Sequence, residues 1–215
     1  MGPPDTQLIA ALSAPDESTR LRAALAIGSS PHPGQLEPLL ARCAVEPDFY
    51  VRDMLTWALT RLPAQSTVPR LLAELRAEHA QARSQALHTL SKIRDPRAWP
   101  AITPSLLNDA DDEVARSAWR AAVALVPSGQ ESSLAQNLGA LLGRGDREVQ
   151  LSLSRALNAL GEAAVGPVLR SATTSPDPHV RAHAIATERL LHDPDTASER
   201  ARKEARRLFV LGKPR

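Results

Sequence analysis

Residues 111–125 of the chain read DDEVARSAWRAAVAL, and variants of this stretch occur five more times along the sequence. The residue three positions after the first acid serves as an anchor for aligning the copies. The six anchors are Thr19, Val51, Ala82, Val114, Val149 and Val180, so that successive copies are 31 to 35 residues apart. An internal repeat of this period indicates a solenoid, in which each repeat is one supersecondary unit.

Each repeat is predicted to contain two helices. In the second half of a repeat, apolar residues recur every three or four positions, as at Val149, Leu153, Ala156 and Leu157, which is the stripe of an amphipathic helix. The first halves carry a similar stripe and begin near residues 7, 35, 67, 98, 133 and 163. A pair of short helices cannot bury its apolar faces alone, so the pairs must stack on one another.

The composition is typical of a soluble helical protein. The 215 residues include 43% apolar, 23% charged and only 3% aromatic side chains, with a formal net charge of +2. No apolar run approaches the roughly 18 residues of a membrane span, and the first residues lack the basic start of a secretory signal. Because one cysteine, Cys43, permits no internal disulfide, we expect a reducing cytoplasm.

Two further columns of the alignment carry charge. The position three before the anchor is acidic in five repeats and is expected to cap the second helix; it holds Asp16, Asp48, His79, Asp111, Asp146 and Asp177. The position after the anchor holds Arg20, Arg52, Arg83, Ala115, Gln150 and Arg181. We interpret these columns as a structural ladder in which each arginine reaches a capping side chain. A series of anion sites is the alternative.

The pattern D-x-x-V-R-x-x-A-x-x-A-L-x-x-L resembles the HEAT repeat in its short bacterial, phycobilisome-lyase-like form. Prolines in the first helices fit that family as well; they are Pro38, Pro69, Pro100 and Pro167. The resemblance covers roughly residues 5–193. More narrowly, residues 49–62 and 80–90 resemble the HEAT region attached to some bacterial MerR-type regulators. The chain has no winged-helix segment, so a DNA-reading role is not implied.

The resemblance implies an all-α fold, a right-handed α-solenoid of about six stacked HEAT-like helical hairpins with a C-terminal capping helix. We place the solenoid at residues 1–195, with repeats at about 5–30, 33–62, 65–94, 97–127, 131–161 and 162–193. Residues 196–215 are expected to form a basic C-terminal helix and tail. Its simplest role is to cap the last repeat; contact with nucleic acid or an anionic surface is the alternative.

The resemblance also implies that the second helices line the concave surface. Positions two, six and nine after the anchor point away from the apolar stripe in a helix of about 3.6 residues per turn. The groove residues expected at these positions are Asp53, Trp57, Ser84, His88, Arg116, Arg120, Arg155, Asn158 and Arg189, and Trp119, five positions after its anchor, borders the same strip. Trp and Arg dominate binding hot spots. Alternatively, Trp57 and Trp119 fill gaps between helices and the arginines form a solvated face.

These residues favour a non-enzymatic interaction or ligand-binding module, with a regulatory role left open. A protein or peptide partner is expected first and a small anionic or aromatic ligand second, with no membrane partner. The rival is a nucleic-acid-binding protein similar to HEAT-like alkylpurine DNA glycosylases, although no catalytic role transfers to Asp53 or Trp57. A net charge of +2 is low for a duplex binder.

The sequence suggests no catalytic residues, cofactor or metal. His179 and His183 have metal-ligand spacing on one helix, but a third ligand would have to come from His192 or Asp193. Cys43 lies in an apolar stripe and is expected to be a small buried hydrophobe.

Overall fold

The computed structural model describes residues 5–192, and this part of the chain contains twelve α-helices, two 3-10 helices and no strand. The α-helices are α1 (Thr6–Ala11), α2 (Glu17–Ser29), α3 (Leu36–Cys43), α4 (Phe49–Arg61), α5 (Ala64–Glu74), α6 (Ala80–Ile93), α7 (Pro104–Leu107), α8 (Asp112–Leu125), α9 (Glu131–Gly139), α10 (Arg147–Ala159), α11 (Glu162–Ala172) and α12 (Pro178–His192). The all-α prediction is confirmed. The helix expected at 196–215 lies outside the described residues.

The helices form two compact units, Met1–Ser128 and Gly129–Arg215. In the first unit, α1 to α8 form four helical pairs, and the second helices α2, α4, α6 and α8 pack against one another in series. In the second unit, α9 pairs with α10 and α11 pairs with α12, while α9 also packs on α11 and α10 on α12. Each pair corresponds to one predicted repeat, so the solenoid-like architecture of stacked hairpins is confirmed. The domain limits at 1–195 and 196–215 stay a prediction.

The repeat four hairpin departs from the expected helix near residues 98–107. A 3-10 helix at Pro96–Ala101 is followed by the four-residue helix α7, which begins at Pro104. Single prolines lie inside α5 and α11, but Pro100 and Pro104 remove two backbone N–H donors within five residues, which disfavours one continuous α-helix here. The first half of this repeat is therefore broken into two short turns.

Aspartate side chains cap the second helices, as the sequence predicts. Each accepts a hydrogen bond from an N–H in the first turn; the five residues are Asp16, Asp48, Asp111, Asp146 and Asp177. Hydrogen bonds from Thr19 and Ser18 lower the pKa of Asp16 to about 2. In the third repeat His79 takes the place of the acid, and its side chain makes no capping hydrogen bond to α6. Imidazole is not among the side chains that favour this position.

The repeated arginines donate hydrogen bonds to loop carbonyls rather than to the capping side chains. Nη1 of Arg52 donates to the carbonyls of Glu46 and Pro47 at 2.9 and 2.7 Å, which lie six and five residues before it. The same pair of bonds is made by Arg20, Arg83 and Arg181. The structural reading of the ladder is confirmed, but the expected partner is wrong. Carbonyls at the end of a first helix lack helical partners, and one guanidinium nitrogen satisfies two of them.

Glu46 ties the first two repeats together from a fully buried position. Arg20 donates to both of its carboxylate oxygens at 2.8 Å, Arg42 donates at 2.7 Å, and the Asp48 N–H donates at 3.0 Å. Desolvation would raise the pKa of Glu46, but the hydrogen bonds from Arg20, the Asp48 N–H and Arg42 outweigh it and lower the pKa. Repeats three and four are joined in the same way, because Arg83 donates to both oxygens of Asp109 at 3.2 Å.

We predict that Glu46→Ala lowers the free energy of unfolding by about 3–5 kcal/mol, because Arg20 is then left buried without its counter-charge. Glu37→Ala is the matched control, since Glu37 also forms a two-bond pair with an arginine, Arg70, but its side chain is 63% exposed. The control should cost less than about 1 kcal/mol. Urea unfolding followed by circular dichroism measures both, and equal losses would contradict the assignment.

Acid unfolding should report the same carboxylate. Since the pKa of Glu46 is lower in the folded state, its stabilisation is complete above the unfolded-state value of about 4.3 and is lost as the pH falls through the folded value. The stability of Glu46→Ala should therefore change less than that of the wild type over this interval. Parallel curves for the two proteins would argue against a stabilising charge at Glu46.

Candidate functional site

The first unit presents part of the expected site on what we call the second-helix face, the surface of α2, α4, α6 and α8 at positions two, six and nine after the anchors. Asp53 and Arg120 are exposed there, and Trp57, His88 and Arg116 are partly buried. Desolvation lowers the pKa of His88, the charges of Arg120 and Lys92 lower it further, and Asp53 opposes them. Residues from α4, α6 and α8 are thus within electrostatic reach of one imidazole.

Trp119 is not on this face, which corrects the expectation from the sequence. Its side chain is fully buried and its Nε1 donates to the Leu107 carbonyl at the end of α7 at 2.8 Å. Trp119 therefore fills the space between the two helices of repeat four and satisfies a terminal carbonyl. The alternative in which a tryptophan packs between helices applies to this residue.

Ser84 is also buried, contrary to the groove assignment. Its Oγ lies 3.0 Å from Ser117 Oγ and donates to the Glu113 carbonyl at 3.3 Å, so it links α6 to α8. A helix in a stack has neighbours on both flanks as well as beneath it. Assigning positions only by their angle from the apolar stripe overlooks those flanks, and both errors have this cause.

Trp57 lies on the second-helix face but leans on a neighbouring helix. A Cβ atom at Gly28 would overlap the Trp57 ring, so the absence of a side chain at Gly28 creates the seat for the indole on α2. The ring keeps a partly exposed surface. Trp57 is thus both a packing residue between repeats one and two and an available contact surface.

Arg116 and Arg120 make the α8 end of this face cationic. Arg116 donates to Glu113 at 2.7 Å, whereas Arg120 donates to Ser117 Oγ at 3.0 Å. Within residues 5–192 no carboxylate forms an ion pair with Arg120. Desolvation and the neighbouring charge of Arg116 lower its pKa, with Glu113 opposing. Such a guanidinium is suited to binding a carboxylate or phosphate by donating two parallel hydrogen bonds.

Two exposed aromatic side chains were missed by the sequence reasoning. Phe49 and Tyr50 are 65% and 72% exposed and meet edge to face with ring centroids 5.6 Å apart. They lie in the first turn of α4, before the anchor Val51, whereas all the positions expected to face the groove follow their anchors. The signal was an aromatic pair that directly follows a helix cap and falls outside the apolar stripe.

The second unit carries the other three expected residues. Arg155 on α10 and Arg189 on α12 are exposed. Asn158 is partly buried, and its Nδ2 donates to the Thr187 carbonyl at 3.4 Å, which links the two helices. Leu151 and Ile185, each 38% exposed, add apolar surface to the same helices. A binding role for these residues stays a proposal.

The histidine pair of α12 is divided between solvent and core. His179 is exposed, whereas His183 is buried with both ring nitrogens in hydrogen bonds. Its Nδ1 accepts from the Gly143 N–H at 3.0 Å, and its Nε2 lies 2.9 Å from the Gln150 carbonyl. Desolvation lowers the pKa of His183, with the Gln150 bond opposing. This ring therefore acts as a neutral structural link.

The remaining features considered from the sequence are Cys43, a metal site and a membrane span. Burial raises the pKa of the Cys43 thiol to about 12, which confirms the expected buried hydrophobe and disfavours a thiolate nucleophile. Across residues 5–192, no group of three histidines, cysteines or acids is arranged to hold a metal ion. In the same range, no helix combines the length and apolar character needed to cross a bilayer.

The comparisons with known proteins concern the fold. A family model described as HEAT repeats matches residues 36–124, which confirms the HEAT resemblance for that stretch. An engineered protein from the Northeast Structural Genomics Consortium is 22% identical, with 87% of this chain and 94% of that chain covered and a TM-score of 0.47. A chain in the complex of CpcE and CpcF of phycocyanin lyase from Nostoc sp. PCC7120 is 21% identical, with 88% of this chain and 78% of that chain covered and a TM-score of 0.50. No curated protein matches the sequence.

We predict that Gly28→Ala has opposite effects in two backgrounds. In the wild type it should destabilise by about 1–3 kcal/mol, because the added methyl group overlaps the Trp57 ring. In Trp57→Ala the same change should stabilise by about 0.5 kcal/mol, since alanine is the better helix former. Chemical unfolding of the four proteins measures the cycle; the same sign in both backgrounds would show that the indole does not occupy this seat.

We also predict that the second unit loses stability on mild acidification. His183 has a lower pKa folded than unfolded, so its contribution is complete above about pH 6.5 and is lost as the pH falls toward the folded value. His183→Gln should remove this part of the pH dependence, while His179→Gln, on the exposed side of the same helix, should retain it. Thermal unfolding from pH 7.5 to 5 tests this, and identical profiles for the two variants would refute it.

Proposed function

Because residues 36–124 carry HEAT repeats, we propose that this chain is an interaction module that binds an acidic segment of a protein partner on the second-helix face of its first unit. Stacked helical repeats offer extended surfaces of this kind for binding. The contacts are assigned to Trp57, His88, Arg116 and Arg120, with Asp53 one turn before Trp57 on α4. No chemical reaction is assigned to the chain.

The observation that carries the proposal is the unmatched charge at Arg120. Two guanidiniums stand one helical turn apart on α8, and desolvation together with the charge of Arg116 lowers the pKa of Arg120. A partner carboxylate would relieve that repulsion and form charge-assisted hydrogen bonds in a partly desolvated setting. The neighbouring His88 also has a lowered pKa and can serve as a neutral hydrogen-bonding contact.

The other end of the same face is apolar, which favours a peptide over a small ligand. Leu25 is 48% exposed on α2, and the partly exposed Trp57 ring lies beside it on α4. Packed helices are about 8–10 Å apart, so α4 and α8 are separated by about 20 Å. About six residues of extended chain span that distance. The fitting segment has an aliphatic or aromatic residue at one end and Asp or Glu about six positions away.

The alternative of a nucleic-acid-binding protein similar to alkylpurine DNA glycosylases has less support. Trp119 is in the core and Trp57 leans on Gly28, so the face lacks a pair of free indoles for stacking on a base. A cytoplasmic location remains part of the proposal, in keeping with the single free thiol of Cys43.

The test starts with an array of acidic peptides that contain one apolar residue at varied distances from an Asp or Glu, screened against the full chain. For the best peptide, Trp57→Ala and Arg120→Ala should each weaken binding about 30-fold, equivalent to about 2 kcal/mol. Arg76→Ala, an exposed arginine outside the face, should change affinity less than twofold. Isothermal titration measures all four proteins.

Two outcomes would overturn the proposed function. Equal affinities for the wild type and all three variants would show that the peptide binds elsewhere. Release of bases from alkylated DNA by the wild type, abolished by Asp53→Asn, would select the glycosylase alternative instead.

A further inference from the structure

The first turn of α4 and the loop before it expose an apolar cluster that we call the aromatic corner, formed by Val45, Phe49 and Tyr50. These side chains are 59%, 65% and 72% exposed, more than any other large apolar side chain in residues 5–192. Scattered exposed apolar residues are ordinary, but three within six positions, with two rings in contact, form a patch. The patch has no role in the stacking of repeats.

The backbone beneath the corner is held rigidly from both neighbouring repeats. On one side, Arg20 of α2 grips the buried Glu46 carboxylate. On the other side, Gln81 of α6 donates to the carbonyls of Cys43 and Glu46 at 2.9 and 2.8 Å. The loop's own Arg52 adds two bonds to its carbonyls. A partner would therefore meet a preorganised surface, which lowers the entropy cost of binding.

Near the corner, the positive charges are bound within the structure, whereas two negative charges form no ion pair with the described residues. The guanidiniums of Arg20, Arg42 and Arg52 are committed to Glu46 and to loop carbonyls. Asp48 directly precedes the two rings, and its charge and that of Glu17 both act on Arg20, whose guanidinium binds Glu46 in the loop before α4. Among the described residues, neither has an ion-pair partner. The corner thus combines exposed aromatic rings with two nearby carboxylates that form no ion pair within residues 5–192, one of which, Asp48, uses its Oδ1 to cap α4.

We propose that the aromatic corner is a docking site for a basic, apolar segment of a partner protein, in which an Arg or Lys stands next to an aliphatic or aromatic residue. The cation would lie over the Tyr50 ring and meet the carboxylates of Glu17 and Asp48. The apolar neighbour would cover Val45 and Phe49. The site has the opposite charge preference from the Arg116–Arg120 end of the second-helix face and does not depend on it.

A segment fits the corner better than a second copy of the chain. A stable interface between folded proteins covers about 800 Å² on each partner. Three side chains provide much less than that, whereas a few residues of an extended segment need no more. The recognition elements are also of two kinds, rings and carboxylates, which a basic and apolar dipeptide matches directly.

The experiment selects 12-residue peptides from a random display library against the full chain and measures the affinity of the enriched peptides. We expect Arg or Lys beside an apolar residue in the enriched set. Phe49→Ser and Tyr50→Ser should each weaken binding at least tenfold, and Glu17→Lys should weaken it about fivefold without altering the rings. Leu25→Ser, an exposed apolar residue on α2, and Arg120→Ala should both stay within twofold of the wild type.

Several results would overturn the proposal. Tyr50-sensitive peptides that are acidic rather than basic, or a library that yields no peptide sensitive to Tyr50→Ser, would show that the corner is not a basic-segment site. Equal losses with Arg120→Ala would assign the peptides to the second-helix face, so failure of this proposal can be told apart from failure of the proposed function. A wild-type dimer that Phe49→Ser converts to a monomer in sedimentation would make a second copy the occupant.

Discussion

The buried carboxylate of Glu46 is the constraint on which the first two repeats depend. Four hydrogen bonds converge on it, from two arginines and a backbone N–H, and no part of the residue is exposed. An unpaired carboxylate in that position would cost several kcal/mol, so the surrounding donors have to stay in place. This requirement fixes the loop between α3 and α4 and thereby the starting direction of α4.

The repeated arginines extend the same logic along the chain. Their contacts with two loop carbonyls satisfy groups that the ends of short first helices leave without partners. Where the next repeat supplies an acid, as at Glu46 and Asp109, the arginine also bridges to it. Arg52 forms no such bridge within the described residues, although Glu78 stands at the equivalent position, and its guanidinium holds only its own loop. The links between neighbouring repeats therefore differ along the first unit.

Close packing of the second helices decides which side chains remain for binding. Small residues line the contact between α6 and α8, where Ser84 and Ser117 share a buried hydrogen bond, and Trp119 is enclosed below them. What is left on the outside is long and charged at α8 and aromatic at α4. The two surfaces that we propose as binding sites are consequently opposite in charge, with the cations on α8 and the carboxylates beside the aromatic corner on other elements.

The sequence alone determined the helical pairs, their number, the aspartate caps and the exposure of residues such as Asp53 and Arg120, because these follow from periodicity within one helix and from local hydrogen bonding. The tertiary structure decided the rest. It buried Trp119 and Ser84 at the flanks of α8 and α6, seated Trp57 on Gly28 and gave Arg52 its loop carbonyls as partners. It also left Phe49 and Tyr50 uncovered. These outcomes depend on how closely one repeat approaches the next, and that distance is set by side chains that lie about 30 residues apart in the chain, beyond the reach of any pattern within a single helix.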